Sequence, residues 1–275
     1  MQRRLVLGLV FWLIAATGAA AQTSGRFIIM GSTTSTEQSG LFGHILPIFK
    51  AHSGLEVRVV AVGTGQALQL GARGDADALL VHDRPGEEQL IARGDALDRR
   101  DVMFNDFVFV GPKDDPAKIA GLKDAKEVLS RIAAAKAPFV SRGDDSGTHR
   151  LELRLWKAAS LDIKAIGDGW YRELGTGMGP ALNTAAAMNA YIIADRATWA
   201  SFANRQGLVL LADGDKALFN PYSSLLVNPA KGSHIRASDA RLWHEWLTSK
   251  AGQDAIASFK IDGEQLFFPS YGAAK

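Results

Sequence analysis

Short apolar runs rich in β-branched residues alternate with stretches that are apolar at helical spacing, and this rhythm constrains the fold more than any other feature of the chain. Phe27-Ile28-Ile29-Met30 is the first apolar run, followed by a turn rich in Gly, Ser and Thr and then by Leu41 to His52 at helical spacing. Leu55 to Val62 is β-branched, Gly63-Thr64-Gly65 leads into a helical stretch from Gln66 to Gly71, and Ala78 to Val81 reads as a buried strand. A strand–helix–strand–helix–strand order of this kind calls for a parallel sheet with helices on both faces.

The N-terminus reads as an export signal. Arg3 and Arg4 precede a short apolar core from Leu5 to Ala16, and Ala19-Ala20-Ala21 supplies a small-residue cleavage pattern. The apolar run is shorter than the roughly 20 residues a membrane-spanning helix needs. Cleavage is therefore expected near Ala21, with residues 1–21 as the signal peptide. The formal charge of +2 comes from 31 Lys and Arg against 29 Asp and Glu. Loss of Arg3 and Arg4 leaves the exported chain formally neutral, without the basic footprint that nucleic acid or an anionic membrane would require. The chain has no cysteine. A disulfide framework and a lipid tether on an N-terminal cysteine are thereby excluded, and a freely diffusing periplasmic protein is expected.

About 250 further residues suffice for two α/β lobes. Phe104-Asn105-Asp106-Phe107 runs into Val108 to Pro112, and Phe219-Asn220-Pro221-Tyr222 runs into Leu225 to Pro229. Each has an Asn-containing start, a short apolar strand and a closing proline. They are expected to be crossovers between lobes. On that scheme residues 26–105 form the first part of lobe I, 106–218 form lobe II, and 219–275 return to lobe I with C-terminal helices between Arg241 and Phe259. A ligand site then belongs in the cleft, at the carboxyl ends of strands.

The segment most suited to a ligand is Gly31 to Gly40, where Ser32, Thr33, Thr34, Ser35 and Thr36 follow an apolar strand and open a helix. Unpaired N–H groups at a helix start attract an anion, and hydroxyls add donors without adding charge. Ordinary capping needs only one such residue. In Ser141-Arg142-Gly143-Asp144-Asp145-Ser146-Gly147-Thr148-His149, one guanidinium offers a planar fork to an oxyanion, and Ser146, Gly147 and Thr148 again stand before a helix, expected from about Arg150 to Ala159. Val62-Gly63-Thr64-Gly65-Gln66 is a third helix start, without the spacing or lysine of a phosphate-binding loop. His82-Asp83 ends a strand near the expected cleft mouth. No partner stands at metal-ligand spacing, so His82 reads as structural and no metal is expected. Asp195-Arg196 reads as a strand-end ion pair or cap, and Trp243 and Trp246 as packing for the tail helix. Ser141, Asp144 and His149 contain the residue types of a hydrolase triad, but no nucleophile elbow surrounds them.

These segments resemble the tungstate-binding periplasmic proteins of ABC transporters, relatives of the molybdate- and phosphate-binding proteins. The stretches that carry the resemblance are TTSTEQSGL (33–41), VGTGQALQLGARGDADALLVHD (62–83), MFNDFVFVGPKDDP (103–116), SRGDDSGTH (141–149) and NAYIIADRATW (189–199). The resemblance implies an α/β, two-lobed type II periplasmic binding protein that closes on its ligand in the cleft between lobes. It implies hydroxyl and backbone donors from Thr33, Thr34 and Ser35, and an anion held by Arg142, Ser146, Gly147 and Thr148, with Thr64 as a further donor. The family pattern often has three threonines before the serine. Ser32 stands in the first of those places, which leaves the contact residue within 32–36 open.

The implied function is capture of tungstate, or also molybdate, and delivery to a membrane permease with its ATPase, by a monomer without catalysis or cofactor. The alternative is a phosphate-binding protein, because Asp83, Asp144 or Asp145 could accept the proton that phosphate keeps at neutral pH. A distant alternative is an exported hydrolase built on Ser141 or Ser146.

Overall fold

The computed structural model describes residues 25–166 and 168–271; the expected signal peptide lies outside them. In chain order the first elements are β1 (Phe27–Thr33), α1 (Thr34–Gln38), α2 (Leu41–Ser53), β2 (Glu56–Val62), α3 (Thr64–Arg73), β3 (Ala78–Val81), α4 (Arg84–Ala92) and β4 (Ala96–Pro112). There follow α5 (Ala125–Ala135), β5 (Phe139–Ser141), α6 (Gly147–Ala158), α7 (Ile163–Ile166), β6 (Tyr171–Glu173), α8 (Met178–Met188), β7 (Tyr191–Asp195), α9 (Arg196–Ser201) and β8 (Leu208–Ala212). The last are β9 (Phe219–Val227), α10 (Ala237–Leu247), α11 (Lys250–Ser258), β10 (Lys260–Ile261), β11 (Glu264–Gln265) and β12 (Phe268–Pro269).

The strands join in the order β2-β1-β3-β9-β4-β7-β5-β6, with β8 and β12 also paired to β4. β1 is parallel to both β2 and β3, as the alternation of strand and helix demands. β9 runs antiparallel to β3 and β4, and Asn105 of β4 lies opposite Asn220 of β9. β4 is shared. Its first half pairs with β9, and its second half pairs with β7 and β8, so the strand belongs to two lobes.

Each lobe is a sheet with helices on both faces. In the first lobe, Ile28 and Met30 of β1 point into a core with Ile45 and Phe49 of α2 and Trp243, Trp246 and Ile256 of α10 and α11. Phe49 meets Trp243 edge-on at 4.9 Å, so the two tryptophans dock the tail helices as their spacing implied. The opposite face packs Leu79 and Val81 against Ala67, Leu68 and Leu90 of α3 and α4. In the second lobe, Phe139 packs with Trp156 and Ile132 on one face, while Val140 and Ile192 meet Leu182 and Ala185 on the other. Alternate residues of one strand thus feed opposite layers.

Three boundaries differ from those expected. β1 does not stop at Met30: Gly31, Ser32 and Thr33 continue it, opposite Val60, Ala61 and Val62. The hydroxyl run therefore begins inside a strand, and Ser32 spends its hydroxyl on the Leu80 carbonyl at 2.6 Å. α6 starts at Gly147 rather than near Arg150, because Ser146 caps it by accepting from the His149 N–H at 3.2 Å. β4 begins at Ala96, eight residues before Phe104. The Asp98-Arg99-Arg100-Asp101 charges hide that half of the strand from a hydrophobicity pattern, and the left-handed Asp98 (φ 46°) sits where the pairing register shifts.

Candidate functional site

The carboxyl ends of β1 and β3 in the first lobe face β5 and its following loop in the second. Arg142 is 1% exposed, and its guanidinium reaches across the cleft. Nη2 donates to Thr34 Oγ1 at 3.2 Å and to Asp144 Oδ2 at 2.5 Å, and Nε donates to the Thr176 carbonyl at 3.4 Å. Nη1 is buried without a protein partner, as is Thr148 Oγ1. Buried polar groups are almost always paired, so an unpaired guanidinium nitrogen on a side chain that spans the cleft marks a site for an acceptor. Burial pulls the Arg142 pKa down, and Asp144 pulls it back up; the group stays a cation.

Other expected residues meet at the same closure. Thr64, the first residue of α3, accepts the Gly147 N–H on Oγ1 at 2.6 Å. The Gly65 N–H donates to the Asp145 carbonyl at 3.1 Å. A side chain at Gly65 would overlap the Asp145 carboxylate, and one at Gly147 would lie 2.5 Å from the His82 ring. These two glycines are what allow the lobes to approach so closely. Ser146 is committed to its cap. Thr33 bonds Thr36 Oγ1 at 2.7 Å, His82 Nε2 at 3.2 Å and Ser35 Oγ at 3.3 Å, and makes no side-chain cap to α1. Of the expected set, Thr34 and Arg142 touch each other, Thr64 touches Gly147, and Thr33 and Ser35 form a separate cluster behind them.

The carboxylates nearby are all engaged. Asp144 pairs with Arg142 and accepts the Ser146 N–H at 3.2 Å. Asp145 takes a two-pronged contact from Arg150, and Asp83 accepts from Arg150 at 2.5 Å and Arg154 at 3.3 Å across the cleft. Among the described residues, no group of three or more His, Asp or Glu side chains is arranged to hold a metal ion.

Sequence reasoning missed two contributors. Thr176-Gly177 opens α8 without a side-chain cap, and a Cβ on Gly177 would stand 3.6 Å from Thr34 Oγ1. The signal available was a Gly-rich turn before an Ala-rich helix. The other is a buried polar chain behind the cleft. Asp195 caps α9 through Oδ1, as expected of a strand-end cap, while Arg196 pairs instead with Asp106 and Asp213. Asp195 Oδ2 accepts from Asn105 (2.8 Å), Tyr222 (3.0 Å) and Asn220 (3.3 Å). Asn220 in turn contacts His82 Nδ1 at 2.9 Å. Burial lowers the His82 pKa to about 4 and raises that of Tyr222, so imidazole and phenol are both neutral near pH 7.

Neither Ser141 nor Ser146 bonds an imidazole; the His149 ring instead accepts the Asp145 N–H at 3.2 Å. Ser224, His244 and Asp98 do form a chain (2.7 and 3.4 Å), but Ser224 and His244 are fully buried, with no face for a substrate.

The chain matches the model of the PBP superfamily domain over residues 16–251. A tungstate-binding protein from Peptoclostridium acidaminophilum is 42% identical over 97% of both chains. The structure of a tungstate-binding protein from Desulfovibrio alaskensis superposes with a TM-score of 0.75 at 39% identity, covering 90% of this chain and 99% of that one. The structure of the tungstate ABC transporter from Geobacter sulfurreducens gives 0.77 at 45% identity, covering 85% and 98%.

Proposed function

Because the chain belongs to the PBP superfamily and, within it, to the tungstate-binding proteins, we propose that it is the periplasmic solute-binding component of an ABC importer that captures tungstate. The observation that carries this is Arg142, buried in one lobe, bonded to Thr34 of the other, with Nη1 free for an oxyanion. Thr34, the backbone N–H of Ser35, Arg142 and Thr148 form the proposed contact set, with Thr33, Thr64, Ser146 and Gly147 fixing their positions. Fixed dipoles, hydroxyls and one guanidinium replace the hydration shell of the anion when the lobes close.

The same chemistry separates tungstate from phosphate. At neutral pH phosphate keeps a proton and needs an acceptor, whereas tungstate and molybdate are unprotonated dianions. Asp83, Asp144 and Asp145 are tied to arginines, so the cleft offers donors and a cation but no spare carboxylate. Molybdate, of equal charge and nearly equal size, is proposed as a second ligand; sulfate, being smaller, is held weakly.

The segments 26–105 with 219–275, and 106–218, are proposed to move as two bodies about Asn105–Asp106 and Phe219–Asn220, where β4 and β9 cross together. The closed body is the form a permease would recognise, and ligand shifts the population towards it. Export through cleavage near Ala21 and a monomeric state belong to the same proposal. Titration calorimetry of the purified protein with tungstate, molybdate, sulfate and phosphate tests it. Tungstate and molybdate bind tightly at one site; tight phosphate binding with no tungstate heat would overturn it.

A further inference from the structure

Thr33 stands at the N-cap of α1, and a threonine there ordinarily turns its hydroxyl to accept an N–H of the helix it precedes. Thr33 does not: no side-chain cap bond forms, and Oγ1 is held by His82, Thr36 and Ser35. The N–H groups of the first turn are thereby left to another acceptor. The turn is short, and what points to a ligand there is Arg142, buried beside Thr34 with Nη1 unpartnered.

The direction of each hydrogen bond in the chain behind Thr33 follows from Asp195. Its carboxyl accepts two backbone N–H groups on Oδ1, and Asn105, Asn220 and Tyr222 on Oδ2, a set made of donors. Asn105 must turn its NH2 to Asp195, so its carbonyl faces Asn220 and accepts at 2.7 Å. Asn220 then spends its NH2 on Asn105 and Asp195, and only its carbonyl remains for His82 Nδ1. A carbonyl there requires a proton on Nδ1. With the ring neutral, Nε2 carries a lone pair, and the only hydrogen bond left to it is one donated by Thr33.

We propose that His82 is a positioning residue of the anion site: carrying its proton on Nδ1, it draws the Thr33 hydroxyl away from the first turn of α1 and keeps the N–H groups of that turn free for the oxyanion. It rests on the reading that this cleft is the anion site. Asn105 and Asn220 lie opposite each other on β4 and β9, where the chain crosses between lobes, and Asp195 lies in the second lobe, so the chain that orients His82 draws on both lobes.

The first test needs neither ligand nor mutation. Nitrogen-15 spectra of histidine-labelled protein report which ring nitrogen carries the proton. His82 gives the Nδ1–H form; the Nε2–H form would overturn the proposal. The second test is calorimetry with sodium tungstate on His82→Asn and His82→Asn/Thr33→Val. Asparagine keeps a donor for Asn220 but is too short to place an acceptor where Nε2 meets Thr33, so Thr33 caps its own turn and tungstate affinity falls roughly 3- to 30-fold. Valine cannot cap, so the double variant binds more tightly than the single one. A double variant as weak as His82→Asn, or weaker, contradicts the proposal, since purely structural losses would add. Absence of tungstate binding by the unaltered protein would instead sink the functional assignment and leave the tautomer result standing.

Discussion

Replacement of Arg142 by alanine is the perturbation with the largest calculable effect. The guanidinium is the only cation within hydrogen-bond reach of both Thr34 and Asp144 among the described residues, and it is buried. Its loss removes the cation that faces the anion and leaves the Asp144 carboxylate unpaired beside a dianion. Truncating one partner of a buried, hydrogen-bonded charge pair at a binding site costs about 2–5 kcal/mol of affinity, and about 1.4 kcal/mol is tenfold. Tungstate affinity should therefore fall roughly 30- to 3,000-fold. Folding should survive, because burying the guanidinium is itself costly and the substitution removes that cost with the contacts. Calorimetry gives the affinity, and thermal melts with and without tungstate separate binding from stability, since a ligand raises the melting point only through binding. Asp144→Asn in the same background relieves the repulsion and should restore roughly tenfold. Unchanged affinity in Arg142→Ala, or no recovery in the double variant, would show that Arg142 does not face the anion.

Three further outcomes are expected. Gly65→Ala places a methyl where the Asp145 carboxylate sits, so the lobes cannot fully close; small-angle scattering with saturating tungstate should show a larger radius than the unaltered protein. Asp83→Asn weakens the cross-cleft bonds from Arg150 and Arg154; stopped-flow release of tungstate should quicken several-fold, while the unliganded melting point stays within a few degrees. Between pH 4.5 and 6.5 the buried histidines and the buried carboxyls, with Asp195 among the latter, pull stability in opposite directions. Burial lowers His82 and His244 to about 4, so their contribution is present above pH 6.5 and is lost as pH falls through 4. Burial raises Glu87 and Glu152 to about 7, so their contribution is present below pH 4.5 and is lost as pH rises through 7. The two slopes oppose each other in that window, and urea titrations of His244→Gln should expose a decline with rising pH.

Much of the fold is legible because each lobe repeats a local pattern. The β-branched run to Val62, the helix start at Thr64 and the buried Ala78–Val81 strand are set by residues adjacent in the chain, and periodicity finds them. Charges at Asp98 to Asp101 conceal half of β4, because a strand that bulges and turns polar loses its alternation. The site divides in the same way. Arg142, Thr34 and Thr64 stand in segments whose glycines and hydroxyls exceed what turns and caps need. Asn105, Asn220, Asp195 and His82 stand in segments that read as crossovers, a cap and a strand end, but no local pattern joins them: their shared meaning lies in pairings 25 to 138 residues apart. Ser32 shows the converse, a hydroxyl in the right run that faces the Leu80 carbonyl.

Tungstate is proposed to be enclosed between Arg142 of one lobe and the first turn of α1 in the other. X-ray diffraction from crystals grown with sodium tungstate, collected on either side of a tungsten absorption edge, locates the metal without reference to the protein atoms. A single anomalous peak within ligand distance of Arg142 Nη1, Thr34 and Thr148 is the predicted result. A peak outside the cleft, or a cleft filled by phosphate with no tungsten signal, would contradict it.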